Sequence, residues 1–457
     1  MPYPFVLPTT SSYTFSSQFK SSSHPSLPLN ASTYRGVVRE ILKKYKRLSP
    51  SSQSANLVLV INALNDYIPY LCALDAGLKR QNVHDVSVSV DMINMPLNIE
   101  WRPTLSASPP GREQPRINIG TFEYEFAFCL STLGMAYFLQ ARAILQPLFV
   151  TSLALPEPDQ RTRAIQMATQ HLLEAASVYV YLGAQIGSLP EPPACVDVST
   201  AVVNGMASIA LAEATSLAVF KDDPYPTVAA QERNIHDREW MYKAPTIPKV
   251  RAHLYARLCL AASDHATKAY SLCASAGKSG GTKVDEKLLK YMEDASRTYR
   301  AKACRFFGIG ADLGGQTGTA IAWLHAGLAE LGVARKDGDE KKKGLSFSRL
   351  RREWSEKKED KRVEKSGHWG ADGGMMEEIR VLEMLEAKFM KENNTMNTQS
   401  IPPVSQLLAE MPSGREIHVV KEYKPPAIEG YTLKKMEEVP VRADVLVALV
   451  LQHTFEI

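Results

Sequence analysis

Two apolar rows run side by side through Asn118 to Arg142, NIGTFEYEFAFCLSTLGMAYFLQAR. Phe122, Phe126, Cys129, Leu133 and Tyr137 recur at the spacing of one helical face, while Ala127, Leu130, Gly134 and Phe138 fill a second face beside it. That pattern predicts a helix packed on both sides, a central rung of a helical stack. Its small residues Ala127, Ser131, Gly134 and Ala141 allow close neighbours, and Glu123 and Glu125 sit at the positive end of its dipole.

The same period predicts helices over 34–48, 55–78, 122–145, 159–186, 200–220, 249–274, 285–331 and 375–391, with Pro69 as a kink or break in the second. Three of these segments, AIQMATQHLLEAASVYVYLGAQI, STAVVNGMASIALAEATSLAVF and VRAHLYARLCLAASDHATKAY, are Ala-rich with large apolar residues every three or four positions. Alanine at contact rows lets helices approach closely, as in tetratricopeptide-like solenoids, but no strict 34-residue period is present. Between Val86 and Ile119 the period changes: VSVSVDM and LNIEW alternate, and Pro96, Pro103, Pro109, Pro110 and Gly111 mark turns. One small antiparallel sheet is expected there. Residues 1 to about 33 are rich in Ser, Thr and Pro and read as extended chain along the surface.

Composition changes this picture little. The chain has 457 residues, 45% hydrophobic and 22% charged, with a formal net charge of +4, and that small excess argues against a nucleic-acid partner. Six scattered cysteines (Cys72, Cys129, Cys195, Cys259, Cys273, Cys304) show neither CxxC pairing nor zinc spacing and read as reduced core residues. Neither a secretory signal nor an uninterrupted apolar run of spanning length is apparent, which leads us to expect a cytoplasmic protein with peripheral membrane association. Lys43, Lys44, Lys46 and Arg47 form a basic face near the end of the first helix: a solvated face that any helix tolerates, or a contact for an acidic membrane or partner. Arg335 to Gly374 is charge-dense and Gly-rich and is expected to be a partly disordered insertion, with Phe347, Leu350 and Trp354 as its apolar anchors.

Candidate chemistry fails on spacing. AGKSGGTK has Leu272 where a P-loop needs its first glycine, and GIGADLGGQTG follows no strand and reads as a helix-to-helix turn. His236 beside Asp237, and Asp264 beside His265, are sequence neighbours whose side chains diverge on a helix. A hydrolase therefore requires a site assembled from distant segments.

Several segments carry a resemblance. A strand ending in Ile99-Glu100-Trp101, a loop, the strand RINIG and the helix EYEFAFCLSTLGMAYFLQA resemble the signature of the BRO domain, the boomerang-shaped module of ALIX and PalA. LAEATS (211–216) resembles a family segment reading LAQAQE, and ARLCLAASDH (256–265) one reading AKLANQAADY. REIHVVKEYKPPAIEGYTL (415–433) resembles the extended closing strap of these domains, and the opening MPYPFVLPTTSS resembles the PalC branch, the fungal ambient-pH signalling proteins.

The resemblance implies a mainly α fold, an irregular tetratricopeptide-like solenoid over residues 1–435 with a tail at 436–457. It implies a non-catalytic adaptor without cofactor or metal that binds the C-terminal amphipathic helix of an ESCRT-III subunit. Such an adaptor joins other pH-signalling components on endosomal membrane or plasma-membrane foci, upstream of proteolytic activation of a transcription factor. It further implies an apolar patch on the helix bearing LAEATS, for which Met206, Ile209 and Leu217 are the expected solvent-facing anchors and Arg257 the rim charge. A generic peptide-binding scaffold shares the Ala-rich helices but not the IEW hairpin or the EYKPP strap.

Overall fold

The computed structural model of the chain describes residues 2–93, 96–109, 111–149, 157–231, 247–276, 282–333 and 369–439. Among these residues it is a stack of helices: α1 (Leu27–Arg47), α2 (Pro50–Leu78), α3 (Phe122–Leu145), α4 (Pro158–Gly187), α5 (Thr200–Phe220), α6 (Tyr225–Gln231), α7 (Lys249–Ala276), α8 (Glu286–Asp312), α9 (Thr317–Glu330), α10 (Met375–Glu392), α11 (Val404–Ala409) and α12 (Gly430–Lys435). Successive long helices pack on one another, with α5 between α4 and α7. Two apolar cores result. The larger lies under α1 to α5, and the smaller under α9 and α10; α7 and α8 are long enough to contribute to both.

The helical period is observed with three corrections. The first helix starts at Leu27, with Pro28 in its first turn, where an N–H is not needed. Pro69 lies inside α2 without ending it. The expected 285–331 helix is two, joined at Leu313–Gln316 by a turn in which Gly315 takes φ +74°. By length and apolarity α2, α3 with the turn after it, and α5 are each sufficient to cross a membrane, contrary to expectation. Of their apolar windows 61%, 78% and 78% are buried inside the protein, so this apolarity builds the cores.

The expected single sheet is three small antiparallel pieces. β1 (Thr9–Thr10), β6 (Leu97–Arg102) and β7 (Ile117–Gly120) form one; β2 (Phe19–Ser21) pairs with β5 (Val90–Met92); β3 (Asn82–Val83) and β4 (Val86–Ser87) form a hairpin. The N-terminal segment thus completes two sheets, and Phe5, Leu7, Phe15 and Phe19 are buried in the main core. In β6, Leu97, Ile99 and Trp101 point inward in strict alternation.

Most of the expected insertion, 334–368, lies outside the described residues, but its end is packed. Trp369 is buried; the Arg142 guanidinium lies 4.3 Å from its ring centroid and donates to its carbonyl at 2.7 Å. The packed chain also runs past residue 435: Met436 is buried, and the Glu438 carbonyl accepts from Ser26 Oγ at 2.7 Å. Residues 440–457 of the expected tail lie outside the described residues.

All six cysteines are unpaired and five are buried. Burial pushes the Cys259, Cys273 and Cys304 thiols up to about 12.

Glu125 does more than face a helix dipole. Fully buried, it accepts from Arg35 Nε at 2.9 Å, Tyr67 Oη at 3.0 Å and Trp101 Nε1 at 2.5 Å. Arg35 also donates to the Ser11 carbonyl at 2.7 Å and to Thr10 Oγ1 at 2.5 Å, so one ion pair joins α1, α2, α3, β1 and β6. Arg35→Ala strands a carboxylate in the core and is expected to cost ~3–5 kcal/mol, read as a lowered midpoint in urea unfolding. A midpoint unchanged from the parent would show that the pair holds nothing.

Candidate partner-binding face

Ser199 caps α5, its Oγ accepting from the Val202 N–H at 3.4 Å. Met206 and Ile209 are fully buried and Leu217 is 6% exposed, so the expected solvent-facing anchors are core residues. Crowding is the cause. At Gly205 an added Cβ would lie 2.5 Å from Cys273 Sγ and 3.2 Å from the Ala269 carbonyl of α7, and at Gly183 of α4 one would lie 2.5 Å from Asn204 Oδ1. The helix turns its bulky side inward and its smaller row outward. Asn204, Leu211 and Ala218, seven residues apart, are the partly open line on this helix.

Arg257 is not a free rim charge. Half-buried on α7, it donates from Nε to the Ser413 carbonyl at 3.0 Å, and its own carbonyl accepts from the Arg415 N–H at 3.0 Å. It fastens an extended strap, Met411 to Glu429, that crosses the helices. The strap begins where Gly414 meets the backbone of Ala261, with only 2.6 Å from an added Cβ to the Ala261 nitrogen, an approach that glycine alone permits. Glu416 then pairs with His265 Nε2 at 2.9 Å, and His418 faces the backbone of Ala214 on α5, its burial holding the imidazole below its ordinary pKa.

Beyond α5 the Lys421 carbonyl accepts from Ser177 Oγ of α4 at 2.7 Å, and Tyr423 meets Tyr181 edge-on at 5.4 Å between ring centroids. The Ile428 carbonyl lies 2.7 Å from His84 Nε2 at the β3–β4 hairpin, and Ile428 itself is buried. The strap alternates like a strand. His418, Val420 and Tyr423 turn inward, while Ile417 (41% exposed), Val419 (89% exposed), Lys421 and Lys424 turn outward. Two exposed aliphatic residues therefore stand above the outward row of α5. Sequence reasoning missed them, because Ile417-His418-Val419 reads as if the two aliphatic residues turned inward.

The tempting catalytic pairs separate. His265 bonds to the strap, not to its neighbour Asp264, and His236 and Asp237 lie outside the described residues. Among the described residues no three His, Cys, Asp or Glu side chains gather as a metal site.

Relatives with this architecture are known. No family model matches the chain. Its sequence is 37% identical over 478 aligned residues to the pH-response regulator protein palC of Emericella nidulans, covering 97% of this chain and 93% of that protein. The chain belongs to the PalC family of pH-response regulators. A PalC-family protein of Cryptococcus neoformans is 23% identical over 93% of this chain and 92% of its own. Among solved structures, the ALIX BRO1 domain in complex with CHMP4C superposes with a TM-score of 0.52 at 14% identity, over 95% of this chain and 98% of that one. ALIX in complex with the SIVmac239 PYKEVTEDL late domain gives 0.54 at 13% identity, over 94% of this chain and 49% of that longer one. The fold of this PalC-family chain is therefore that of a BRO domain.

Under the outward row of α5 sits Glu213, within LAEATS. It is buried and accepts from Tyr291 Oη at 2.5 Å, and burial pushes its carboxyl up to about 7. In the unfolded chain the group ionises near 4.5, so between these values folding retains a proton that unfolding releases. Its contribution is fully present below about pH 4.5 and is lost as the pH rises through 7. Glu213→Gln is expected to be more stable than the parent at pH 8, on the order of 3 kcal/mol, with the gain shrinking toward pH 5. Urea titrations at the two pH values check this, and a gain independent of pH would contradict it.

Proposed function

We propose that this chain is a non-catalytic adaptor in ambient-pH signalling, whose strap-crossed face takes the C-terminal amphipathic helix of an ESCRT-III subunit. The observation that carries the proposal is the shared fold, over nearly all of its length, with a BRO1 domain captured with CHMP4C, in a chain whose relatives are pH-response regulators. The chemistry of the face is compatible. A helix laid on a groove needs apolar anchors and a polar rim, and Ile417 and Val419 supply the former beside Leu211 and Ala218. Arg415, Lys421, Glu416 and Glu422 supply the latter. In this reading the adaptor works from the cytoplasm and reaches endosomal membrane or plasma-membrane foci through its partners. There it gathers other pH-signalling components upstream of the proteolytic activation of a transcription factor.

Two sets of variants test the face. The double variant Ile417→Asp/Val419→Asp is expected to keep the parent's circular dichroism and Tm, because both side chains are solvated, while losing at least about tenfold in affinity for an ESCRT-III C-terminal helix peptide by calorimetry. Ile209→Asp is expected instead to lose ~3–5 kcal/mol of stability by burying a charge. A folded double variant that binds as tightly as the parent would remove the strap from the site.

A further inference from the structure

Helix α1 carries Arg35, Arg39, Lys43 and Arg47 at successive four-residue intervals, a single ridge of like charges that destabilises a helix unless something offsets it. Glu125 neutralises Arg35 in the core. The next member, Arg39, is only 8% exposed; one of its terminal nitrogens bonds to Glu40, and its Nε has no hydrogen-bond partner.

A second set of cations meets this ridge from the sheet. Trp101 of β6 faces Ile117 across the antiparallel pair, which brings Arg102 and Arg116, the residue just before β7, to the next step beyond it. Like charges placed opposite each other on neighbouring strands repel. Arg102 shares Glu113 with Lys46, each at 2.6 Å, and its Nε lies buried without a partner. The Arg116 Nε is likewise buried without a hydrogen-bond partner. The two sets feel each other: burial, then Arg39 and, from the sheet, Arg116 hold the Lys43 amine below its ordinary range, while burial, then Arg102 and, from α1, Arg39 do the same to Arg116. The neighbouring carboxylates are Glu40, Glu100 and Glu113, fewer than the cations Arg39, Lys43, Lys46, Arg47, Arg102 and Arg116 around them.

We propose that Arg39, Arg102 and Arg116, with Lys43 at the rim, form a binding site for a phosphomonoester dianion. Three buried Nε–H groups without acceptors are costly to maintain empty, and guanidinium forks match the oxygens of a phosphate. A monocarboxylate already sits at the edge of the cluster in Glu113 and leaves the Arg116 Nε without an acceptor. A dianion with three terminal oxygens supplies both the missing charge and the missing acceptors. The shared chemistry is the phosphomonoester, carried either by a small soluble molecule or by a lipid headgroup. The site lies on α1 and the β6–β7 pair and shares no residue with the strap-crossed face.

The test uses the full chain and glycerol phosphate at constant ionic strength, with chloride as the matched control, followed by thermal melting. A second arm measures co-sedimentation with vesicles containing phosphatidylinositol 4-phosphate or phosphatidylserine at equal surface charge. The parent is expected to melt higher in glycerol phosphate than in chloride, or to prefer the phosphoinositide vesicles. The first result identifies a soluble source and the second a headgroup. Arg116→Gln relieves the cross-strand repulsion, so it is expected to melt no lower than the parent without ligand while weakening the response at least tenfold. A parent with neither a glycerol phosphate response nor a vesicle preference overturns the proposal, as does an Arg116→Gln protein that responds like the parent.

Discussion

Each of the two cores is organised around one guanidinium that no water reaches. In the larger core Arg35 meets Glu125, and in the smaller Arg305 donates to both oxygens of Asp223 at 2.6 and 3.1 Å and from Nε to Glu378 at 2.6 Å. Arg305 is fully buried, and its two carboxylate partners are 3% and 1% exposed. Desolvating such groups consumes most of what their attraction returns, so these clusters add little net stability. They do set registry. A small slip of α1 against α3, or of α8 against α10, would leave a charge in an apolar interior, and apolar contacts between Ala-rich helices exert far less discrimination among slips.

That constraint explains what the residue pattern conveyed and what it did not. Helical period marked nearly every long helix, because α3 and α5 repeat their apolar residues faithfully even where both faces are buried. The same double patterning hid direction. With apolar residues all round α5, nothing local tells which side meets α4 and α7 and which stays open, and so Met206, Ile209 and Leu217 were placed on the wrong side. Their bulk fills the interior, while the small row meets the strap. Glu125 was equally opaque, since a carboxylate in the first turn of a helix has an ordinary dipole role. Its burial depends on Arg35, ninety residues earlier. β1 and β2 are two and three residues long, too short for alternation to register, and are strands only because β6 and β5 offer them edges.

The strap was legible as a segment but not as a set of contacts. The strap's resemblance stood in the sequence, whereas its position over α7, α5 and α4 rests on single contacts, such as Gly414 against Ala261 and Ser177 against Lys421, that carry no local signature. The proposed adaptor face and the proposed phosphomonoester site lie on separate elements of the same stack. One surface is built from the last described part of the chain and the other from the first helix and the edge of its sheet.

The strap has a mechanical consequence. A stack of helix pairs in which each rung touches only its neighbours is a one-dimensional chain, and such chains fray from their ends at little cost. Here the segment after α11 runs back across the rungs and docks Leu433 and Met436 in the main core, with Glu438 reaching the residue before α1. It acts as a tie-rod. Loosening α1 therefore also loosens the segment from Leu433 to Glu438, so the first helix and the last described helix open together rather than separately.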